Sequence, residues 1–226
     1  MTTDDAAEPV DRLLAAAYAL DGPDANRALY ARWASTYDSG FVVDSGYKYP
    51  QVVVDVFAAN GLDSVGEDEV VIDIGCGTGL AGEALRRHSD VAIDGIDLSS
   101  EMLRQAASKQ HDGRAIYRTL LEADLTQRLD VADGAYAGAV SVGTFTHGHV
   151  GPDALSGILR IIRSGGRAAI GINAAHFVAA GFGATFDRLV MEGRITELQL
   201  IAAAIYEGAD MTDTDQYAHV AVFTVS

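Results

Sequence analysis

The stretch Val70-Val71-Ile72-Asp73-Ile74-Gly75-Cys76-Gly77-Thr78-Gly79 determines the fold class of this chain. Its first five residues are apolar or acidic and predict a buried strand, after which glycine recurs at every second position. A chain that leaves a strand in this way turns sharply and brings bare backbone close to a ligand, which glycine allows without a steric penalty. A helix is predicted from about Leu80, and its unpaired N–H groups would face the same ligand. The segment therefore predicts a nucleotide-type site.

Two glycine patterns overlap in this segment and favour different ligands. Residues 77–82 fit the dinucleotide pattern G-x-G-x-x-G, which is a weak indication on its own. Residues 73–79 fit D-x-G-x-G-x-G, in which the carboxylate of Asp73 precedes the first glycine. That carboxylate would repel a pyrophosphate, whereas it would attract the ammonium and sulfonium groups of S-adenosylmethionine. The acidic pattern is therefore the favoured one.

Two further acidic residues stand at the ends of predicted strands. Asp97 closes the strand predicted over residues 92–97, where a carboxylate can accept hydrogen bonds from both ribose hydroxyls of an adenosine. Asp124 follows the strand predicted over residues 115–120, where a carboxylate can accept from the adenine amino group. A single acid of this kind is more often a solvated loop residue, but three at successive strand ends favour a binding site.

Residues 70–173 resemble the core of the class I S-adenosylmethionine-dependent methyltransferases of the small bacterial type. The segment 143–151 is similar to a subgroup that includes the methyltransferase-like protein of the Williams–Beuren region. One departure from the family pattern is Ser164, where proline is usual. The segments that carry the resemblance are 29–38, 73–79, 97, 123–125, 136–143 and 159–166.

The resemblance implies a set of residues that contact the cofactor, S-adenosylmethionine. Asp73 is expected near the methionine ammonium, Asp97 at the ribose, and Asp124 with Leu125 at the adenine. The complete set of expected cofactor contacts is Tyr30, Asp73, Gly75, Cys76, Gly77, Gly79, Asp97, Leu98, Met102, Asp124, Leu125 and Val142.

The methyl acceptor is expected beyond the strand predicted over residues 135–142, because ligands of such sheets bind outside the carboxyl ends of the strands. His147 and His149 are the candidate catalytic residues, since a neutral imidazole can take a proton from a hydroxyl, thiol or amine. His147 is the preferred candidate. A His-x-His metal site lacks an evident third ligand, so no metal is predicted. The expected substrate contacts are Tyr37, Tyr47, Thr144, Phe145 and Thr146.

The chain divides near residue 69. Residues 1–69 are predicted to form an N-terminal helical lid, and residues 70–226 the S-adenosylmethionine-binding methyltransferase domain. In the second part strands and helices alternate, which indicates a parallel doubly wound sheet. The predicted strands are 70–74, 92–97, 115–120, 135–142 and 166–173. The predicted helices are 11–20, 25–37 and 50–60 in the lid, and 79–89, 99–110, 152–164 and 175–192 in the domain.

The predicted fold class is α/β, a Rossmann-like methyltransferase fold with a seven-stranded, mostly parallel sheet. Its last two strands, 197–207 and 219–225, suit the antiparallel pair that the family has at the sheet edge. Two local features add detail. Ser99 is predicted to cap the helix over 99–110. Asp24 is predicted to cap the helix over 25–37, on which Tyr30, Trp33 and Tyr37 would share one face.

Composition limits the partners and the compartment. The net charge is −16, with 32 acidic against 16 basic residues, and such a field repels nucleic-acid backbones. No apolar run approaches the ~20 residues of a membrane span, and the acidic N-terminus is unlike a signal peptide. One cysteine excludes an internal disulfide and a cysteine-rich zinc site. We therefore expect a cytoplasmic enzyme that acts on a small molecule, not on nucleic acid or membrane; the oligomeric state stays open.

Two alternatives from other classes also fit part of the pattern. An NAD-dependent oxidoreductase could use the glycines of residues 77–82, but the chain lacks a Tyr-x-x-x-Lys constellation and Asp73 counts against it. A non-catalytic binding module could keep the cofactor fold. The presence of Asp73, Asp97 and Asp124 counts against that reading, because such a module has no need of all three.

Overall fold

The computed structural model describes residue 16 and residues 22–34, 36–43 and 45–226. The helix predicted over residues 11–20 lies, apart from residue 16, outside the described residues. Nine strands occur in the described part of the chain: β1 Val70–Ile74, β2 Ala92–Asp97, β3 Gln110–His111, β4 Arg114–Ala115, β5 Thr119–Glu122, β6 Tyr136–Phe145, β7 Ile162–Asn173, β8 Ile195–Ala204 and β9 Tyr217–Val225.

Seven of these strands form one sheet in the order β5-β2-β1-β6-β7-β9-β8, while β3 and β4 form a separate hairpin. Neighbouring strands are parallel from β5 to β7. Only β9 runs the other way, antiparallel to both β7 and β8. The predicted seven-stranded, mostly parallel sheet with an antiparallel last strand is therefore confirmed.

The helices pack on both faces of this sheet. They are α1 Pro23–Trp33, α2 Tyr49–Asn60, α3 Leu80–Arg86, α4 Ser100–Ser108, α5 Ala154–Ile161, α6 Ala174–Ala179 and α7 Phe182–Met191, with a π-helical turn at Tyr37–Val42 and a 3-10 turn at Leu62–Ser64. Ser99 caps α4 as predicted, because its hydroxyl accepts from the Met102 N–H. No helix in the described ranges has the length and apolar character that a membrane crossing requires.

Strand β1 is covered on both faces, and this makes it the centre of the domain. Its alternate residues point to opposite faces. Val70, Ile72 and Ile74 join the apolar cluster that contains α5 and α7, whereas Val71 joins the cluster that contains α2, α3 and α4. Strand order reverses on either side of β1, between β2 and β6. In sheets of this kind the crevice beyond such a reversal is where ligands bind.

Three predicted elements differ from those observed in the domain. The third strand is β5, Thr119–Glu122, instead of residues 115–120. Ile116 and Tyr117 are buried beside α3 before the strand begins, and Arg86 donates to the Ile116 carbonyl. The helix predicted over 175–192 is two helices, since Gly181 between them has φ 74° and interrupts the helical path. The helix predicted over 152–164 is the shorter α5, because residue 162 already pairs with β6.

The N-terminal segment, residues 22–34 and 36–43, also differs from its prediction. Helix α1 begins at Pro23 and ends at Trp33, and Asp24 makes no capping bond but pairs with Arg27 at 2.9 Å. Tyr37 therefore lies in the following π-helical turn and not on the same helix as Tyr30. The aromatic rings nevertheless pack together, with the Trp33 and Tyr37 centroids 4.9 Å apart.

Candidate active site

The glycine loop after β1 exposes backbone at the carboxyl edge of the sheet. Gly75 and Gly77 both have positive φ, at 66° and 52°. A Cβ on Gly75 would overlap the hydroxyl of Thr144, whereas a Cβ on Gly77 would enter open space with no atom within 4 Å. Gly79 precedes α3 and packs towards Tyr117. The loop therefore turns tightly at Gly75 and presents bare backbone to a cavity at Gly77.

A cavity of about 1050 Å³, which we call the larger cavity, opens over this loop. Its walls bring together almost every residue expected to contact the cofactor, although these residues come from different elements. Gly79 is the one expected contact that is not part of the wall. The expected residues that line it are Tyr30, Asp73, Gly75, Cys76, Gly77, Asp97, Leu98, Met102, Asp124, Leu125 and Val142.

Asp73 is the buried carboxylate of the larger cavity. Its side chain is 0% exposed, and the Tyr117 hydroxyl donates to its Oδ2 at 2.6 Å. Its Oδ1 is buried with no hydrogen-bond partner among the described residues. Burial raises the pKa of Asp73 to about 7, and the bond from Tyr117 opposes that rise. A cationic group at Oδ1 would supply the missing partner and favour the ionised form.

Asp97, at the end of β2, presents its carboxylate to the same cavity. Its Oδ2 accepts from the Gly77 N–H and its Oδ1 accepts from the Ser99 N–H, both at 2.8 Å. Burial raises its pKa, and these backbone bonds oppose the rise. Because each carboxylate oxygen has more than one lone pair, both can still accept from a ligand. Two acceptor oxygens held side by side match the two hydroxyls of a ribose.

The far wall of the larger cavity suits a flat apolar ring with a polar edge. Asp124 follows β5, and its Oδ1 accepts from both the backbone N–H and the hydroxyl of Thr126, at 2.8 and 2.7 Å. This turn fixes the carboxylate beside Leu125. Met102, which is 2% exposed, forms the apolar wall nearby. The residues of this cavity therefore fit the ammonium, ribose and adenine parts of S-adenosylmethionine.

The structure separates the two candidate histidines. His149 lines the larger cavity, whereas His147 does not line either cavity and its ring packs against His176 at 5.5 Å. His149 Nδ1 is 2.7 Å from the His147 carbonyl oxygen, which can only accept, so Nδ1 carries the proton. Its Nε2 then accepts from the Tyr30 hydroxyl at 2.9 Å. Burial lowers the pKa of His149, which keeps this basic nitrogen neutral.

A smaller cavity of about 530 Å³ adjoins the larger one. The two share Tyr30, Tyr37, Tyr47, Gly143 and His149. Of the residues expected to contact substrate, Tyr37, Tyr47 and Thr144 line the larger cavity, and Tyr37, Tyr47, Phe145 and Thr146 line the smaller.

Sequence reasoning missed several residues of the site. Tyr206, which lines the smaller cavity, and Tyr117, which bonds to Asp73 but lines neither cavity, carried no signal, because each reaches its place through long-range packing. The backbone of Tyr47 pairs with that of Tyr206 in an antiparallel bridge, for example. A search for tyrosines and amides at predicted strand ends could have found Asn173, which ends β7.

A polar contact joins the N-terminal segment to the glycine loop. The Thr78 hydroxyl donates to Asp38 Oδ1 at 2.6 Å, and Lys109 Nζ lies 2.7 Å from Asp38 Oδ2. Thr78 lines the larger cavity, and Tyr37, next to Asp38, lines both cavities. Across the ranges that the structure describes, no group of three or more His, Cys, Asp or Glu side chains is placed to hold a metal ion.

Comparison with known proteins agrees with this fold. Residues 71–166 match a family described as "Methyltransferase domain". The chain is 30% identical over 138 residues to methyltransferase-like protein 27 of Homo sapiens, which covers 61% of this chain and 53% of that protein. It is 32% identical over 108 residues to an O-methyltransferase of Pyrenophora dematioidea, with 44% and 38% covered. It is 36% identical over 77 residues to an 18S rRNA (guanine-N(7))-methyltransferase of Arabidopsis thaliana, with 34% and 25% covered.

The chain thus spans about half, or less, of the length of these curated relatives. Among solved structures it is similar to a proposed S-adenosyl-L-methionine-dependent methyltransferase from Methanococcus maripaludis. The TM-score is 0.60 at 19% identity, with 87% of this chain and 93% of the other covered. The fold is that of the class I S-adenosylmethionine-dependent methyltransferases, whose cofactor is S-adenosylmethionine. Residues 71–166 of this chain are similar to that methyltransferase domain family.

Proposed function

We propose that this protein transfers a methyl group from S-adenosylmethionine to a hydroxyl, amine or thiol of a small-molecule acceptor. The observation that carries the proposal is the pair of adjoining cavities. The larger is lined by Asp73 and Asp97, and the smaller meets it at His149. The first suits a cationic cofactor with a ribose, and the second suits an acceptor that must lose a proton.

The residues of the larger cavity hold the cofactor in this proposal. Asp73 Oδ1 accepts from the methionine ammonium, Asp97 accepts from the ribose hydroxyls, and Gly77 leaves room for close approach. When bound, S-adenosylmethionine supplies a methyl group activated by its sulfonium sulfur. The chain contributes position and the exclusion of water, which are the main protein contributions to such a displacement.

His149 is the general base of this proposal, in place of the His147 preferred from the sequence. Its Nε2 is neutral and accepts a hydrogen bond, which is the state a base requires. An acceptor proton reaches Nε2 either by replacing the Tyr30 hydroxyl or through it. His147 takes a positioning role, since its carbonyl fixes the tautomer of His149.

The remaining parts of the proposal concern the lid and the compartment. Residues 1–69 act as a lid over the domain of residues 70–226, a role supported by the position of Tyr30 and Tyr37 on the cavity walls. A lid of this kind excludes water from the reaction. A cytoplasmic location is supported by the single cysteine of the sequence, because disulfide-rich chains belong to oxidising compartments.

Calorimetry with S-adenosylhomocysteine tests the cofactor site. We expect the wild-type protein to bind, and Asp97→Ala to bind at least ~10-fold more weakly, because hydrogen bonds to an ionised acceptor contribute ~1.5–3 kcal/mol each. Asp130→Ala is the matched control, since it removes an exposed carboxylate outside both cavities. Unchanged affinity in a folded Asp97→Ala protein would contradict the proposal.

An RNA acceptor is the second candidate function, favoured by the similarity to an rRNA methyltransferase. Two observations oppose it: the net charge of −16, and the absence of any formally charged side chain among the described residues that line the smaller cavity. Phosphate backbones are bound mainly by Lys and Arg. Incubation with radiolabelled cofactor and total RNA distinguishes the two, and label in the RNA would favour this second function.

A further inference from the structure

Asn173 is a buried amide with a fixed orientation. It ends β7, and its Oδ1 accepts from the His176 N–H at 3.0 Å at the start of α6. Because an N–H can only donate, the oxygen must face the helix and Nδ2 must face the other way. Asn173 is 4% exposed and lines the smaller cavity.

The Nδ2 group has no hydrogen-bond partner among the described residues. A buried donor left unpaired is strongly unfavourable, and such groups in native proteins are nearly always paired. A ligand oxygen in the smaller cavity would supply the partner. This donor, together with the Tyr49 hydroxyl, which is also buried without a partner on the same wall, favours a ligand with a hydrogen-bond acceptor such as oxygen.

The other walls of the smaller cavity are mainly aromatic. Neighbouring rings in this wall have centroids 4.9 to 6.4 Å apart, which is the spacing of packed aromatic pairs. None of the described residues in this wall carries a formal charge. A wall of this kind favours a flat, neutral ligand and disfavours a carboxylate or a phosphate. The Tyr, Trp and Phe rings are those of Tyr30, Trp33, Tyr37, Phe41, Tyr47, Tyr49, Phe145 and Tyr206.

We propose that the smaller cavity binds a neutral aromatic hydroxy compound that carries a second oxygen, and that Asn173 Nδ2 donates to that second oxygen. The hydroxyl group then faces His149, which lines the same cavity. This inference rests on the proposed function, and it narrows the acceptor to a phenol with a carbonyl group. The aromatic walls favour the ring of the acceptor, and Asn173 favours its carbonyl group.

Fluorescence titration tests the inference, because the only tryptophan of the sequence, Trp33, is part of the wall. The probes are ortho, meta and para hydroxyacetophenone, the corresponding ethylphenols, which lack the carbonyl, and the corresponding hydroxybenzoates, which are charged. All titrations contain saturating S-adenosylhomocysteine. We expect at least one hydroxyacetophenone to bind ~10-fold more tightly than its ethylphenol, as one hydrogen bond to a buried donor predicts. The matching hydroxybenzoate should bind more weakly than both.

Asn173→Asp is the decisive variant. The aspartate keeps an oxygen for the α6 cap but replaces the Nδ2 donor with a second oxygen. We expect it to weaken the preferred hydroxyacetophenone by ~10-fold or more, and its ethylphenol much less. Asn60→Asp is the matched control, because Asn60 lies outside both cavities at the end of α2, where its Nδ2 bonds to the Val56 carbonyl.

Five outcomes are distinguishable. A carbonyl preference that Asn173→Asp removes, and Asn60→Asp keeps, supports the inference. Equal binding of hydroxyacetophenones and ethylphenols overturns it, and so does tighter binding of hydroxybenzoates. If S-adenosylhomocysteine binds by calorimetry but no aromatic probe changes the Trp33 signal, the inference fails while the proposed function stands. If S-adenosylhomocysteine does not bind either, the proposed function itself fails.

Discussion

The two cavities adjoin but differ in what their walls are made of. The larger is shaped by backbone and carboxylates, with the bare backbone of Gly77 and the acids Asp73 and Asp97 on its wall. The smaller is shaped by aromatic rings and one amide, that of Asn173. Carboxylates select a ligand by its charge, and aromatic rings select a ligand by its shape. The larger cavity therefore suits one fixed cofactor. The smaller suits a narrow class of neutral molecules.

The comparison of the two cavities predicts that a substitution in the glycine loop causes the largest loss of cofactor binding. Gly77→Val places a branched side chain in the open space of the larger cavity, where a Cβ meets no protein atom. We expect S-adenosylhomocysteine binding to fall below detection by calorimetry, because the side chain occupies the space of the ligand. The positive φ of 52° at this residue adds backbone strain, so a circular dichroism melt must show that the variant is folded.

Gly157→Val is the matched control for that experiment. Gly157 lies in α5, and a Cβ there also meets nothing within 4 Å, but it is outside both cavities. Normal binding by a folded Gly77→Val protein would mean that the glycine loop is not the cofactor site, and the distinction between the two cavities would lose its basis.

The second-largest expected effect is a loss of turnover, and it distinguishes the roles of His149 and His147. His149→Ala should lower turnover by ~10²–10⁴-fold, the usual contribution of a general base, and should leave S-adenosylhomocysteine affinity nearly unchanged. His147→Ala should have a much smaller effect, because its backbone carbonyl, which holds His149, is retained. Steady-state rates with a methyl acceptor found among the phenolic probes measure both. A larger loss in His147→Ala would restore the ranking that the sequence suggested.

The smallest of the three effects is a pH dependence at Asp73. Its pKa is raised from 3.8 to about 7, so the folded protein binds more protons than the unfolded chain between those values. The contribution of Asp73 to the free energy of unfolding therefore falls as pH rises through this window. Cofactor affinity should change in the opposite direction. The affinity for the cofactor should reach its maximum above pH 7 and decrease by up to ~10-fold per pH unit below pH 7. The reason is that the cofactor ammonium pairs with the ionised carboxylate of Asp73.

Calorimetry with S-adenosylhomocysteine between pH 5.5 and 8.5, roughly centred on the raised pKa, measures this effect. Asp73→Asn should bind weakly at every pH, and Tyr117→Phe should move the transition to higher pH, because the lost bond stabilises the ionised form. An affinity that does not vary with pH in the wild-type protein would show that Asp73 is not the partner of the ammonium.

The fold and the larger cavity could be predicted because their signals are local in the sequence. An acid in β1 with glycines directly after it, an acid at the end of β2 and an acid just after β5 indicate the proposed cofactor side within short segments. The break at Gly181 could not be predicted, because glycine is tolerated inside helices and only the tertiary path shows its φ of 74°.

The smaller cavity could not be predicted, because its parts are distant in the chain. Tyr206 follows β8 and meets Tyr47 only through the order of strands in the sheet. The choice between His147 and His149 could not be made from the sequence for a different reason. The two are separated by Gly148, which has φ 74°, and such a turn sends neighbouring side chains in directions that the sequence pattern does not specify.

The contact between Asp38 and Thr78 is a physical connection between the walls of the two cavities. Thr78 belongs to the loop that would meet the cofactor, while the residue next to Asp38 is Tyr37, which forms part of both cavities. A ligand that shifts or stiffens the loop therefore acts on the wall that receives the acceptor. By thermodynamic reciprocity the acceptor must change the affinity for the cofactor by the same factor. Under the proposed function we therefore expect the binding of cofactor and acceptor to be coupled, and this reciprocity does not fix the order in which they bind.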